Sequence, residues 1–183
     1  MKKELRKVFR SKRRAISDKK QKDFEISKRL ICSDIYLNAS TILFYAALED
    51  EINIDDCISK ALACGKRVAL PRCINDSGDM EFYFINSLDD LESGYFGVRE
   101  PDTKKCSIVT DFTDTLCIVP ALAYDKNGYR LGYGKGFYDK FLQKINCISI
   151  GLCYNELIVD ELPINQFDIP VNYIITEDSF ITV

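Results

Sequence analysis

Residues 130 to 139 read Arg-Leu-Gly-Tyr-Gly-Lys-Gly-Phe-Tyr-Asp, and their types and spacing suit the chemistry of anions. Gly132, Gly134 and Gly136 alternate there with Tyr133 and Lys135. Alternating glycines let the backbone take positive φ and let a ligand approach bare main chain. Successive N–H groups can then converge on one anion such as phosphate. A helix-like segment, Phe137 to Ile145, follows and would add the positive end of its dipole. Lys135 and Arg130 bring full positive charges to the same spot. A tight turn before a helix has the same outline. The run is not the dinucleotide fingerprint, and it is not a Walker A loop, because Gly136 follows Lys135 where Ser or Thr should stand. Spacing alone leaves a phosphate site and a plain turn both open.

Two carboxylates bear on that choice. Asp139 lies at the start of the loop helix, where the dipole alone favours an acid. It is also where a magnesium ligand would be needed, since Mg²⁺ is held by one or two carboxylates plus phosphate oxygens. Asp168 is a possible second ligand; by itself it reads as a turn residue shortly before Pro170. There is no histidine in the chain, which excludes Ser-His-Asp and Cys-His mechanisms and His-ligated metals. Carboxylates, Lys, Arg, Tyr and a hard cation on oxygen ligands are what remain for catalysis. The 8 cysteines are scattered without a C-x-x-C pair, so zinc is not expected. Cys117, Cys147 and Cys153 fall in apolar runs and read as small buried hydrophobes with free thiols in a reducing compartment.

The elements that must position these residues follow from the pattern. The chain has 183 residues, which fits a single domain, and 46% are hydrophobic, enough for a core. A net charge of −3 argues against a nucleic-acid binder. No apolar run is long enough to span a bilayer and the basic start lacks the apolar segment of a secretory signal, so a cytoplasmic protein is expected. Residues 2 to 14 suit an amphipathic helix with Leu5, Val8, Phe9 and Lys12 near one face; most of its charges read as solvated, with nucleic acid or the phosphates of a nucleotide as alternative partners. Ser17-Asp18 would cap a second helix running to about Tyr36. Thr41 to Ala47, a helix from Ile54 to Cys64 ending at Gly65, and Arg67 to Leu70 read as a strand–helix–strand unit. A turn at Asn75–Asp79 leads to a strand at Met80–Ile85, one helical turn at Ser87–Glu92 and a loop or irregular edge at Gly94–Pro101. Leu116–Val119, Cys147–Cys153 and, as the last strand, Val171–Thr176 complete the set. The expected class is α/β: one three-layer domain over residues 1–183, with a helical segment at 1–36 and a core at 41–183 whose mainly parallel sheet is flanked by helices. Ligands in such sheets collect at the carboxyl ends of the strands. The acidic turn ending at Glu51, the glycine loop, the loop at Tyr154 and the Asp168 region all follow strands.

The stretch Val119 to Leu142 closely resembles the signature of the 5-formyltetrahydrofolate cyclo-ligase (methenyltetrahydrofolate synthetase) family. That family carries an apolar V-P-small strand, an aromatic-Asp-x-x-Gly turn and then R-L-G-x-G-x-G-[YF]-Y-D. Lys2 and Arg6 are similar to its opening K-x-x-x-R, Tyr45 and Glu51 to its strand and E-[IV] step, Gly97 with Glu100-Pro101 to a G-x-x-E-P element, and Asp168 with the VNYIIT strand to its closing segment. The resemblance implies ATP- and Mg²⁺-driven closure of 5-formyltetrahydrofolate to 5,10-methenyltetrahydrofolate, with release of ADP and phosphate. It implies that Lys2, Arg6, Arg130, Leu131, Gly132, Tyr133, Gly134, Lys135, Gly136, Phe137 and Tyr138 hold ATP. Lys135, with Arg130, would be the catalytic cation stabilising charge on the transferred phosphoryl. Asp139 and Asp168 would hold Mg²⁺. Ala46, Glu51 and the run Tyr133, Gly134, Lys135, Gly136 and Phe137 would face the folate. The partner implied is this small molecule, with no nucleic acid and no membrane, for a chain acting as a monomer.

Three positions depart from the family pattern. Phe167 stands where His is common, Ile54 where Thr is common, and Phe137 replaces a second tyrosine. They bear on pterin-side detail and turnover more than on the reaction class. A non-catalytic paralogue that holds folate or nucleotide is the alternative function, and a nucleic-acid module using the basic helix is a third.

Overall fold

The computed structural model describes residues 1–94 and 97–183. In chain order the helices are α1 (Lys2–Arg14), α2 (Lys19–Ile31), α3 (Asp34–Asn38), α4 (Asp55–Ala63) and α5 (Phe137–Lys144). The strands are β1 (Thr41–Leu43), β2 (Arg67–Cys73), β3 (Met80–Ile85), β4 (Leu91–Ser93), β5 (Arg99–Pro101), β6 (Thr115–Val119), β7 (Ala123–Asp125), β8 (Arg130–Leu131), β9 (Ile148–Leu152), β10 (Ile158–Val159), β11 (Tyr173–Ile175) and β12 (Phe180–Thr182). Seven strands form the main sheet in the order β12-β11-β9-β6-β1-β2-β3. The inner pairings are parallel and only the edge strands β12 and β3 run antiparallel. The mainly parallel α/β fold read from the sequence is the fold observed.

The order of the sheet decides where a site can form. From β1 the chain moves outward to β2 and β3; from β6 it moves the other way, to β9, β11 and β12. Neighbours β1 and β6 are therefore the switch point, and the crevice lies beyond their carboxyl ends. Residues 44 to 51 leave β1 there, and Pro120 and Ala121 leave β6 there. The strands around this point are buried on both faces: every residue of β1 and β6 is buried. Gly151 on β9 leaves room for the Tyr124 ring, since a Cβ would meet its Cζ at 2.3 Å. Helix α5 seats Phe141 against Phe82 of β3, with ring centroids 4.8 Å apart.

Several boundaries differ from expectation. The second helix stops at Ile31 and does not reach Tyr36; Ser33 accepts from the Tyr36 N–H and starts the short helix α3. Asp18 occupies the expected cap position of α2 but in the left-handed region, φ 52°, with no side-chain cap bond. The apolar run after Leu116 is split at Pro120, whose missing N–H ends β6, and β7 joins a second, three-stranded sheet with β8 and β10. Val171–Thr176 is not the last strand, because β12 folds back antiparallel on β11. The loop expected over Gly94–Pro101 falls partly on residues 95 and 96, outside the described residues; β5 at its end pairs with β4. All eight thiols are free; Cys117 and Cys153 are buried as expected, while Cys147 is half-buried.

Candidate active site

The glycine loop is mounted on a hairpin. Asp125 is fully buried at the end of β7, where its Oδ1 accepts the N–H groups of Asn127 and Tyr129 at 2.9 and 3.0 Å and its Oδ2 accepts that of Leu162 at 3.0 Å. Gly128 takes φ 79° to close the turn, and β8 then delivers Leu131, buried, into the core. Beyond β8, Gly134 and Gly136 take positive φ, 103° and 73°, while Gly132 does not. Gly136 is the residue that starts α5, so the amino end of that helix opens directly onto the loop.

Loop, helix and amino-terminal segment enclose a cavity of about 630 Å³. Its walls include Lys2, Arg6, every residue from Arg130 to Asp139, Lys140, Phe167 and Asp168. The residues expected to hold ATP are thus brought to one cavity, together with both expected metal ligands. Lys135 is exposed, with its Nζ 3.5 Å from the Asp76 carbonyl in the turn between β2 and β3. Lys140 donates to the Ser77 carbonyl at 2.6 Å from the same wall. Gly78 in that turn lies so close that a Cβ would meet the Lys135 carbonyl oxygen at 2.3 Å.

Helix α1 straps the loop. Lys2 Nζ lies 2.5 Å from Asp168 Oδ2, and Arg6 Nε donates to the Gly132 carbonyl at 2.8 Å. The Arg6 guanidinium covers Gly134, where a Cβ would come within 3.0 Å of its Cζ. Most charges of this helix are exposed, as expected, but Arg13, two turns further on, is only 4% exposed. Positions 2, 6, 9 and 13 recur at steps of 4, 3 and 4, one face of a helix; that spacing was the available signal for Arg13. Val8 and Lys12, expected on the inward face, are exposed.

Arg130 and the carboxylates form the floor. The Arg130 side chain is almost wholly buried; it donates to the Ile169 carbonyl at 2.6 Å and to Asp139 Oδ1 at 2.5 Å. Asp139 Oδ1 also accepts the Ile169 N–H at 3.1 Å. Asp168 Oδ2 accepts from Lys2 and from the Asn165 N–H at 2.7 Å. Each carboxylate therefore already carries a cationic partner, and both face a cavity lined by lysine and arginine. Two carboxylates beside this glycine-rich loop are a donor set that fits Mg²⁺, a cation commonly held by one or two carboxylates with phosphate oxygens and water.

Neither Glu51 nor Ala46 is in the lining of this cavity; both are buried. Glu51 Oε2 accepts the Leu48 N–H at 2.9 Å, and its Oε1 accepts the Tyr133 hydroxyl proton. Tyr133 in turn accepts from Arg13 Nη2 at 2.7 Å. The residue is 37% exposed, while its hydroxyl end is inserted between Arg13 and Glu51. Burial of that end and the adjacent Glu51 push the phenol well up, outweighing Arg13, so it stays a donor. Burial opposes the charge on Arg13, but Tyr133 and Asp50 more than offset it and hold the guanidinium protonated. Of the departing residues, Phe137 and Phe167 line the cavity, whereas Ile54 is fully buried at the start of α4. There it fills core and offers no cap; Asn53 Oδ1 accepts the Asp55 N–H instead.

The sequence model of the 5-formyltetrahydrofolate cyclo-ligase family matches residues 1–177. The chain belongs to that family. A 5-formyltetrahydrofolate cyclo-ligase of Mus musculus is 26% identical, covering 96% of this chain and 93% of its own. A probable 5-formyltetrahydrofolate cyclo-ligase of Schizosaccharomyces pombe is 32% identical over 72% of this chain and 71% of its own. The solved structure of the 5,10-methenyltetrahydrofolate synthetase of Aquifex aeolicus is 27% identical and superposes with a TM-score of 0.85 over 99% of this chain and 92% of that one. The cyclo-ligase fold is therefore shared from α1 to the closing strands. Among the described residues no helix is long and apolar enough to cross a membrane.

Proposed function

We infer that the protein closes 5-formyltetrahydrofolate to 5,10-methenyltetrahydrofolate at the cost of ATP. The observation that carries the reading is the convergence, on one cavity beside Pro120 at the carboxyl end of β6, of the glycine loop, Lys2, Arg6, Lys135, Asp139 and Asp168 in a chain of the cyclo-ligase family. Lys2, Arg6, the loop N–H groups and the amino end of α5 bind the phosphates. Lys135, on the exposed rim of the loop, stabilises negative charge on the transferred phosphoryl group. Arg130 fixes the loop to the Ile169 strand lead and orients Asp139. Asp139 and Asp168 would hold Mg²⁺, which when bound neutralises phosphate charge. Glu51 orients Tyr133 for the folate through the Tyr133 hydroxyl, and the rings of Tyr133 and Phe137, which line the cavity, pack on the pterin. Phosphoryl transfer asks mainly for positioning and charge stabilisation, so the lack of histidine is no obstacle.

The test is the rise in methenyltetrahydrofolate absorbance on mixing protein with 5-formyltetrahydrofolate, with ATP or Mg²⁺ present or omitted. A rise that needs both, with ADP formed in step, is expected. ADP formation that ignores the folate would overturn the reading.

A further inference from the structure

We propose that Arg13 is a positioning residue for the folate half of the site, supplied by the same helix whose first turns serve the nucleotide half. The proposal rests on the cyclo-ligase reading above. Arg10, Lys12 and Arg14 are exposed, and Arg13 alone of these is buried. Its guanidinium reaches three separate segments: the Ala121 carbonyl after β6 at 3.2 Å, the Tyr133 hydroxyl in the glycine loop at 2.7 Å, and the acidic turn after β1. In that turn Asp50 Oδ2 lies 2.9 Å away as an ion pair, and Glu51 Oε1 4.0 Å away. A buried charge is tolerated only when paired, and this one is paired with the groups that flank the switch point.

The geometry gives Arg13 a directional task. A phenol has one proton. Because Arg13 donates to the Tyr133 oxygen, that proton is free to point only at Glu51, the acceptor on the other side. Arg13 thus sets the sense of the Tyr133–Glu51 bond and supplies the positive charge nearest both. Its Nε is buried without a hydrogen-bond partner among the described residues, so the guanidinium is fixed through its two terminal nitrogens.

The experiment uses Arg13→Leu and Arg13→Lys in the full chain, with KM for 5-formyltetrahydrofolate and for ATP measured separately. The leucine variant is expected to raise the folate KM about tenfold, the scale of one lost charged hydrogen bond, and to leave the ATP KM within about twofold. The lysine variant keeps the charge without the planar fork and is expected to recover part of that loss. If the leucine variant does not fold, the lysine variant decides alone by the same split. An equal rise in both KM values, or a lower melting temperature with both unchanged, would make Arg13 merely structural. If the unaltered protein shows no turnover, the cyclo-ligase reading fails on its own. Calorimetric titration of 5-formyltetrahydrofolate into unaltered and Arg13→Lys protein then still tests Arg13: weaker binding by the variant supports it, equal binding overturns it.

Discussion

Tyr133 gives its hydroxyl proton to Glu51 across 82 positions of sequence, and this bond ties the glycine loop to the turn that leaves β1. Each partner is anchored from behind, Glu51 by the Leu48 N–H and Tyr133 by Arg13. Removing the hydroxyl strands a buried carboxylate oxygen and a guanidinium donor together. Tyr133→Phe keeps the ring, so packing on a flat substrate survives while the orienting bond is lost. The expected result is a fall of about 10- to 100-fold in kcat/KM for the folate, the range for a hydrogen bond to a charged group. Steady-state kinetics with folate varied at saturating ATP would check it, and an unchanged value would make the bond incidental to the reaction.

Lys135 presents the opposite case, an exposed side chain on a loop whose backbone is set by its neighbours. Surface substitutions away from special features change stability by roughly half a kcal/mol or less, and the positive φ values on either side belong to Gly134 and Gly136. Lys135→Ala is therefore expected to leave the melting temperature nearly unchanged. Loss of a transition-state charge contact is worth about a hundredfold or more in kcat. Paired melting and ADP-release assays read both quantities. A large drop in melting temperature would instead make the residue a structural tie between the loop and the Asn75–Asp79 turn.

What the sequence disclosed was what local pattern encodes. The parallel sheet followed from apolar runs alternating with helical spacing, and the glycine loop from residues adjacent in the chain. What it hid depended on contacts between distant segments. Arg13 looked like one more charge in a basic run, because its burial is decided by Tyr133, Asp50 and Ala121, which only the folded sheet brings near. The split of the run after Leu116 was marked by Pro120, yet the second sheet needed β10 to pair with β7 in register, Ile158 beside Tyr124. The strand β12 was hidden because Phe180–Thr182 is short and half-exposed, an edge that only β11 stabilises. Ile54 read as a substrate-side departure and proved to be core.

Asp168 supports a prediction about the metal. Its Oδ2 is shared by Lys2 and the Asn165 N–H, so the carboxylate could serve only to anchor α1. Asp168→Asn keeps the shape and an acceptor for Asn165 but removes the charge. If Asp168 also serves Mg²⁺, the half-saturating Mg²⁺ concentration at fixed ATP is expected to rise about tenfold, on the scale of a lost charge-assisted contact. ADP formation across a Mg²⁺ titration is the readout. Superimposable Mg²⁺ curves with a higher KM for ATP would assign the residue to Lys2 alone.

Asp50 links the site to acid stability. Burial pushes its carboxyl up, but Arg13, with help from Arg14, more than offsets this and holds it below the ordinary 3.8. A carboxylate whose folded pKa is depressed stabilises the fold above its unfolded pKa and loses that contribution as pH falls through the folded value. The ion pair with Arg13 should therefore count in full at pH near neutral and fade as pH drops below about 4, the unfolded range for Asp. Asp50→Asn, which cannot ionise, is expected to be less stable than the unaltered protein at neutral pH, because it leaves the buried Arg13 charge with less compensation. The gap should narrow as acid protonates Asp50 in the unaltered chain. Urea unfolding of both proteins at a series of pH values from neutral down to about 3 measures that gap. A difference that stays constant through this window would mean that Asp50 acts through shape and hydrogen bonding, and that Tyr133 and Glu51 alone hold the Arg13 charge in place.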